Sequence, residues 1–138
     1  MTKALEDNVN SMEVNHNHIS AIEHLLLMSL SKEGIAYTVN ADGNQRVTGI
    51  LNIAIEGIDG EGLLNMLDMH NICISIGSAC NSKSQERSHV LKAIGLDDDK
   101  IDSSVRISIG RYNTEDEVKK LVKYIKKYCE LAKFVERR

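Results

Sequence analysis

The chain has 138 residues, of which 42% are hydrophobic and 27% are charged, and its formal net charge is −3. This composition is typical of a single globular domain, and it excludes the strong basicity with which proteins attract nucleic acid or an anionic membrane surface. No apolar stretch is long enough to span a bilayer, and the polar start of the chain lacks the charged-then-apolar order of a signal peptide. We therefore expect a cytoplasmic protein that binds neither membranes nor nucleic acid.

The first 18 residues are polar and rich in asparagine. Apolar residues recur among them at loose helical spacing, which predicts a helical or disordered arm over residues 1–18, ahead of one domain over residues 19–138. His16 and His18 have side chains that bind metals, but two histidines in a polar chain end are more often solvated. We expect no metal site there.

Capping patterns predict three helix starts. Ser20 with Glu23 and Thr114 with Glu117 each fit the capping box, and Asp59 can cap a helix between them. Apolar residues with helical period follow each start and should face a core. They are Ile22, Leu25, Leu26 and Leu30 in the first helix, Leu63, Leu64, Met66, Leu67 and Met69 in the second, and Val118, Leu121, Val122, Ile125, Cys129 and Ala132 in the last.

Strands are predicted where apolar and polar residues alternate. In the last of them Val105 and Ile107 alternate with Ser104, Arg106 and Ser108, so Arg106 should stand on a polar face of the sheet. The order of helices and strands predicts an α+β domain with a small, mostly antiparallel sheet covered by helices on one face. The predicted strands cover residues 36–40, 47–56, 72–77 and 104–110.

Three cysteines, Cys73, Cys80 and Cys129, form an odd set without a CxxC pair, which argues against a disulfide framework and against a zinc finger. Cys80 stands apart because its neighbours over residues 77–84 are mostly small and polar, whereas a buried cysteine normally lies among large apolar residues. We expect Cys80 to be exposed, in a connection that ends where Ser88 caps a short helix.

The motifs around Cys80 resemble those of a known family. GSAC at residues 77–80, SHVLKAIG at residues 88–95 and SSVRISIGRYNTEDEV at residues 103–118 follow a predicted strand in this order. From about Ser20 onward the chain resembles the carboxy-terminal part of pyridoxal-phosphate-dependent cysteine desulfurases, the NifS-like branch of the class V aminotransferase family. The resemblance implies a fold like the small carboxy-terminal domain of fold-type I pyridoxal phosphate enzymes.

The resemblance also implies roles for single residues. Cys80 matches the thiol that takes sulfur from substrate cysteine and becomes a persulfide, and Arg106 matches the arginine that holds the substrate carboxylate. Arg106 has an alternative role, an ion pair with a structural carboxylate such as Asp102, although only arginine has the planar fork that a bidentate carboxylate clamp needs. For Arg111 we expect a structural role. Arg87 stands where family members usually carry proline, a change that would loosen the helix entry or alter what the preceding segment docks against.

A persulfide-forming cysteine attacks as the thiolate, and an ordinary thiol, with a pKa of about 8.5, is mostly protonated at neutral pH. Lys83, Arg87 and His89 are close to Cys80 in sequence, and Arg106 is a candidate in space, for the positive charge or base that would favour the thiolate. Sulfur relay needs a segment that reaches both a substrate and an acceptor, which small residues allow. The alternative is a simple connection that holds a spectator thiol. A nucleophile–base arrangement of Cys80 with Ser88 and His89 is not expected, because Ser88 is explained as a helix cap and the resemblance implies an active-site histidine in the other domain.

The resemblance implies pyridoxal phosphate in full-length family members, bound through a lysine in a long amino-terminal domain. No lysine of this chain lies in such a context, so we expect no cofactor in this chain and no release of sulfur from cysteine by the chain alone. Whether it acts as an enzyme therefore depends on its partners. The expected partners are a cofactor-binding large domain or desulfurase chain, and a sulfur acceptor or scaffold protein; a homo-oligomer is compatible with the sequence.

Two other functions compete with this one. The chain would also suit a non-catalytic, standalone persulfide carrier or a protein-interaction module with the same fold. A cysteine that ligates iron is a third interpretation, but one exposed cysteine without nearby partners makes a poor metal site. The expected site residues are thus Cys80 and Arg106, without a metal.

Overall fold

The computed structural model describes residues 2–40, 46–77 and 87–136. Within these ranges the strands form one antiparallel sheet in the order β1-β2-β3. The predicted α+β class with a small, mostly antiparallel sheet is therefore confirmed. In chain order the elements are α1 (Thr2–Lys32), β1 (Tyr37–Val39), β2 (Ile50–Ile55), α2 (Gly60–Asp68), α3 (His89–Ala93), α4 (Asp98–Asp102), β3 (Ser104–Ser108) and α5 (Glu115–Glu136).

One face of the sheet forms the hydrophobic core with α1, α2 and α5. Leu51, Ile53 and Ile55 of β2 and Val105 of β3 are fully buried. Removing each such side chain from water contributes about 1.5–3 kcal/mol to folding, so this face holds the three long helices against the sheet. The helical residues in the same buried cluster are Ile22, Leu26, Leu30, Leu63, Leu67, Val118, Leu121, Val122 and Ile125.

The helix α1 begins well before the predicted start. It runs through Ser20 without a break, so the capping box predicted for Ser20 and Glu23 is wrong. Glu23 is buried instead, where its carboxylate accepts a hydrogen bond from the backbone amide of Gly49 (2.8 Å) and pairs with Arg46. Burial raises the pKa of Glu23, but the hydrogen bonds from Arg46 and Gly49 and the charge of Arg46 outweigh it and hold the pKa below its usual value. Gly49 has a φ of +87°, and an added Cβ would lie 2.7 Å from the carbonyl oxygen of Ile109, so glycine is required there.

The other two long helices begin where the sequence predicts. The carboxylate of Asp59 accepts a hydrogen bond from the amide of Gly62 (2.7 Å) at the start of α2. At the start of α5 the amide of Thr114 donates to the carboxylate of Glu117 (2.8 Å), and the amide of Glu117 donates to the hydroxyl of Thr114 (3.4 Å). The inward position predicted for Met69 is wrong, because this residue follows the last turn of α2 and is 80% exposed.

Two stretches between α2 and β3 differ from the predicted order. Residues 72–77 form a single bridge, in which Ser75 pairs with Arg106, instead of a continuous strand. The isoleucines of this stretch are nevertheless partly buried against the core. The second difference is α4, whose start is capped by the carboxylate of Asp97 accepting from the amide of Lys100 (2.8 Å). A helix of five residues is too short for a hydrophobic period to predict it.

Candidate functional site

Arg106 lies in the middle of β3 and has a backbone partner on each side. In the register of β2 and β3 it stands opposite Asn52. On its other side, the amide of Arg106 donates to the carbonyl oxygen of Ser75 (2.7 Å), and the amide of Ser75 donates to the carbonyl oxygen of Arg106 (3.0 Å). Residues that are paired directly in antiparallel strands project to the same face, with Cβ atoms about 4.5–5.5 Å apart. The side chain of Arg106 therefore starts between those of Asn52 and Ser75.

The sheet face that carries Arg106 is polar, as the sequence predicts. Arg106 is half-buried, and within the ranges that the structure describes its guanidinium has no hydrogen-bond or ion-pair partner. A positive charge partly removed from water is unfavourable without an anion, so this arrangement suits an anionic ligand. The residues that share this face by register are Thr38, Ile50, Asn52, Ala54, Ser75, Ser104 and Ser108, none of which is acidic.

The alternative pairing of Arg106 with Asp102 is not formed. Asp102 instead accepts hydrogen bonds from Nε and Nη2 of Arg87, both at 2.7 Å, and Asp98 accepts from Nη1 of Arg87, also at 2.7 Å. The hydrogen bond to Asp102, with the charges of both carboxylates, holds the pKa of Arg87 above its usual value, and the same bond holds the pKa of Asp102 below its usual value. Arg87, which directly precedes the cap of α3, is thus bound to α4. Its charge is compensated there, which argues against Arg87 as the group that favours a thiolate on Cys80.

Cys80 and Lys83 lie outside the described residues, and their roles stay predictions. In the sequence, Cys80 follows Ser75 by five positions. Of the other thiols, Cys73 is exposed and Cys129 is half-buried in α5, where burial raises its pKa and disfavours the thiolate.

The residues after Arg87 have local roles. The hydroxyl of Ser88 accepts a hydrogen bond from the amide of Leu91 (3.4 Å) and caps α3, as predicted. His89 is the exposed first residue of that helix. Arg111 is exposed, and its guanidinium carbon lies 4.8 Å from the ring centroid of Tyr112, a cation–π contact inside the turn after β3.

His16 and His18 lie on α1, which continues through residues 18 and 19 without interruption. The ring nitrogen Nε2 of His18 is 2.9 Å from the carbonyl oxygen of Asn113, so this histidine contacts the turn before α5. Across the described ranges, no three His, Cys, Asp or Glu side chains form a group that would hold a metal ion. None of the helices in those ranges combines the length and the apolar character needed to cross a membrane.

A chain of buried polar side chains lies beside Arg106, and no sequence pattern predicted it. Asn40 is 3% exposed, and its Nδ2 donates to Oδ1 of Asn52 (2.6 Å) and to Oγ of Ser104 (2.8 Å). The hydroxyl of Ser104 donates in turn to the carbonyl oxygen of Lys100 (2.5 Å). The one sequence signal for it is that Asn40 and Asn52 occupy strand positions, where asparagine is disfavoured and needs a specific partner.

The described lysines do not fit the site that pyridoxal phosphate needs. A lysine that forms a Schiff base is normally desolvated, so that its amine is readily deprotonated. Every described lysine lies on a helix and is exposed, apart from the half-buried Lys126. The ammonium of Lys126 lies 2.8 Å from the carboxylate of Glu33, and this hydrogen bond raises the pKa of Lys126 above its usual value.

Known proteins resemble this chain in both sequence and fold. The family model for aminotransferase class-V matches residues 2–121. The chain is 36% identical to a cysteine desulfurase of Rattus norvegicus over 125 residues, which cover 88% of this chain. It is 40% identical to the cysteine desulfurase IscS of Vibrio vulnificus over 115 residues, which cover 83% of this chain. A solved NifS-like protein superposes on 94% of this chain with a TM-score of 0.78 and 25% identity, covering 32% of that protein. A NifS-like protein of Rickettsia africae shares the fold at a TM-score of 0.74 and 24% identity, over 88% of this chain and 31% of that one.

The chain therefore belongs to the aminotransferase class-V family. Within that family its relatives are the NifS-like cysteine desulfurases, which confirms the resemblance noted in the sequence motifs. The chain spans 27% and 28% of the length of the rat and Vibrio relatives. The activity of those whole proteins is thus a proposal for this chain.

Proposed function

We propose that this chain acts as the carboxy-terminal domain of a cysteine desulfurase, in which Arg106 binds the carboxylate of substrate cysteine and Cys80 carries sulfur as a persulfide. The observation that carries the proposal is the half-buried Arg106, which has no acidic residue among the described residues of its sheet face, in a chain of this family.

The surroundings of Arg106 support a carboxylate as its ligand. A guanidinium offers parallel N–H donors that match the two oxygens of a carboxylate. The cross-strand neighbour Ser75 is small, so it leaves space beside Arg106 for a small amino acid. A larger or acidic neighbour would fill that space or neutralise the charge.

The position of Ser75 supports a joint role for Cys80 and Arg106. Ser75 forms a backbone bridge with Arg106, and Cys80 follows Ser75 by five positions in the sequence. Because an extended chain spans up to about 3.6 Å per residue, we infer that this short connection allows the Cys80 thiol to reach a substrate held by Arg106. The small residues around Cys80 would also let the thiol turn toward an acceptor protein.

Sulfur reaches Cys80 in this proposal by exchange between persulfides when the donor is a second desulfurase. The thiolate of Cys80 attacks the terminal sulfur of a persulfide on the donor's cysteine. The donor's sulfur–sulfur bond breaks, the donor leaves as a thiolate, and Cys80 gains one sulfur atom. No other oxidant or reductant is consumed, because one persulfide replaces another.

Pyridoxal phosphate belongs, in this proposal, to a large domain or partner chain, where it supplies the electron sink for cleaving substrate cysteine. The chain by itself would neither bind the cofactor stably nor release sulfide. The sulfur on Cys80 would pass to an acceptor or scaffold protein.

Transfer of labelled sulfur tests the proposal. The reduced chain is incubated with L-cysteine and a small amount of an active cysteine desulfurase, and peptide mass spectrometry locates any gain of one sulfur atom. We expect the gain on the peptide that contains Cys80. It should disappear in Cys80→Ser and persist in Cys73→Ser, the matched control for an exposed thiol, and in Cys129→Ser. Equal labelling of Cys80→Ser and the unmodified chain would contradict the proposal, and so would sulfide release by the chain without the added desulfurase.

A further inference from the structure

Ser104 determines which atoms are donors and which are acceptors in the hydrogen bonds beside Arg106. Its Oγ lies 2.5 Å from the carbonyl oxygen of Lys100. Because a carbonyl has no proton to donate, the hydroxyl proton of Ser104 must lie between these two oxygens. Ser104 is therefore an acceptor toward Asn40. The atom of Asn40 that lies 2.8 Å from Ser104 must then be its amide nitrogen.

The same reasoning fixes the orientation of Asn52. The second amide proton of Asn40 points to the side-chain atom of Asn52 that lies 2.6 Å away, and that atom must be the acceptor, Oδ1. The backbone amide of Asn40 also donates to the backbone carbonyl of Asn52 (2.9 Å), so the two residues are joined through main chain and side chains. With its oxygen engaged, Asn52 keeps its NH2 group available. That group has no hydrogen-bond partner in the described part of the chain.

This orientation has an energetic cost. It leaves Oδ1 of Asn40 buried without a hydrogen-bond partner among the described residues, which is unfavourable. The opposite orientation of both amides would engage that oxygen, but it would place the oxygen of Asn40 against Oγ of Ser104, whose proton is already donated to Lys100. The observed orientation instead keeps donors on both Arg106 and Asn52.

We propose that Asn52 is a second carboxylate-binding residue beside Arg106, and that Asn40 is the positioning residue that keeps the NH2 group of Asn52 free. The inference rests on the proposed carboxylate role of Arg106 and extends it. Arg106 and Asn52 are register partners on one sheet face, so their donors can converge on one anion. The guanidinium fork takes both carboxylate oxygens, and the Asn52 amide adds a third hydrogen bond to one of them. The ligand class is the α-carboxylate of a small amino acid.

Binding is measured on the full 138-residue chain. The chain is labelled with ¹⁵N, and the side-chain N–H resonances of Arg106 and Asn52 are followed by NMR during titration with L-cysteine under reducing conditions. Cysteamine, which keeps the amine and thiol of L-cysteine but has no carboxylate, is the control ligand. We expect both resonances to shift with L-cysteine and neither to shift with cysteamine.

Variants distinguish the contributions of Arg106 and Asn52 to binding. Asn52→Ala should weaken binding of L-cysteine about three- to tenfold, the effect of one lost hydrogen bond, and Arg106→Gln should abolish it. Asn40→Ser should weaken binding by a similar factor without adding to the effect of Asn52→Ala, because it acts through Asn52. Ser108→Ala, on the same strand and face, is the matched control and should bind normally. Asn52→Asp keeps the acceptor for Asn40 but removes the donor, and it replaces Asn52→Ala if that variant does not fold.

Each outcome separates the inference from the proposed function. If Arg106→Gln abolishes binding and Asn52→Ala leaves it unchanged, the inference is wrong and the carboxylate role of Arg106 stands. If Asn40→Ser and Asn52→Ala weaken binding additively, Asn40 is not a positioning residue for Asn52. If Arg106→Gln binds L-cysteine as the unmodified chain does, or if the unmodified chain shows no carboxylate-dependent shift, both the carboxylate role and the inference fail.

Discussion

The two faces of β2 and β3 differ in what their side chains contact. On one face Leu51, Ile53 and Val105 are fully buried against helices. On the other face Asn52 and Arg106 are half-buried, and the arginine has no anionic partner within the described chain. The same two strands thus contribute to the core through one face and carry a half-buried arginine on the other. Substitutions on the two faces should therefore have different effects on the free energy of unfolding and on ligand binding.

The largest effect on stability is expected on the core face. Ile53→Ala removes three carbon atoms from a fully buried position and leaves a cavity, so it should lower the free energy of unfolding by about 2–5 kcal/mol. Ser108→Ala, on the exposed end of the opposite face, should change it by less than about 0.5 kcal/mol. Equilibrium urea unfolding of both variants measures the difference. Similar losses in the two variants would contradict the assignment of separate roles to the faces.

The next effect concerns a buried charge that does have a partner. Glu23→Gln keeps the acceptor for the amide of Gly49 but removes the charge that pairs with Arg46, so it should lower the free energy of unfolding at pH 7 by about 1–3 kcal/mol. Because the pKa of Glu23 lies below its ordinary value of 4.5 in the folded chain, its contribution is present above pH 4.5. It is lost as the pH falls from 4.5 through the folded-state pKa.

Free energies of unfolding measured between pH 7 and pH 3 test this predicted loss of stability toward acid. The unmodified chain should lose more stability toward acid than Glu23→Gln does. A steeper acid dependence in the variant would show that the ionised form of Glu23 is not the one that the fold favours.

A smaller effect is expected for an exposed arginine with two carboxylate partners. Arg87→Ala frees Asp98 and Asp102 and should loosen the contact between α3 and α4, so the amides of α3 should exchange with solvent deuterium faster than in the unmodified chain. Since exposed ion pairs are screened by salt, the difference should shrink at about 1 M salt. Arg111→Ala, which removes an exposed arginine without a carboxylate partner among the described residues, is the control. Equal exchange of α3 in both variants would indicate that the contact of Arg87 does not hold this helix.

The smallest effect on stability is expected for Arg106. Arg106→Met keeps the aliphatic length and removes a half-buried charge without a partner in the described chain, so the free energy of unfolding should change by less than about 0.5 kcal/mol or rise. Arg46→Met, which leaves the buried Glu23 without its charge partner, is the comparison and should be clearly destabilised. A loss in Arg106→Met as large as that in Arg46→Met would mean that Arg106 has a structural role.

Local signals in the sequence predicted the parts of the fold that local interactions determine. The caps at Asp59, Ser88 and Thr114 are each made within three residues of the helix start, so their patterns were reliable. Ser20 and Glu23 have the same spacing, yet the carboxylate of Glu23 pairs with Arg46 and the amide of Gly49 from a distant part of the chain. A pattern of spacing cannot distinguish a cap from such a tertiary contact.

The candidate site was predictable only in part for a similar reason. Alternation along β3 placed Arg106 on a polar face, because side-chain direction follows directly from strand geometry. The alternation over residues 72–77 predicted a strand, but only Ser75 forms a bridge there, since a hydrogen-bonded strand needs a neighbour along its whole length. The contacts of Asn40 with Asn52 and Ser104 join positions that are 12 and 64 residues apart, which no local pattern encodes. The role of Cys80 stays a prediction.

The central position of β2 has a consequence for the order of folding. Val39 pairs with Ile53, 14 positions later, whereas Ile53 pairs with Val105, 52 positions later. Closing the longer loop costs about 1 kcal/mol more in chain entropy, so we expect the β1–β2 hairpin to form before β3 joins it. Val39→Ala should then slow refolding more, relative to its loss of stability, than Val105→Ala does in stopped-flow measurements; the reverse order would contradict this. A nascent or refolding chain would accordingly acquire its hairpin early and the strand that carries Arg106 last.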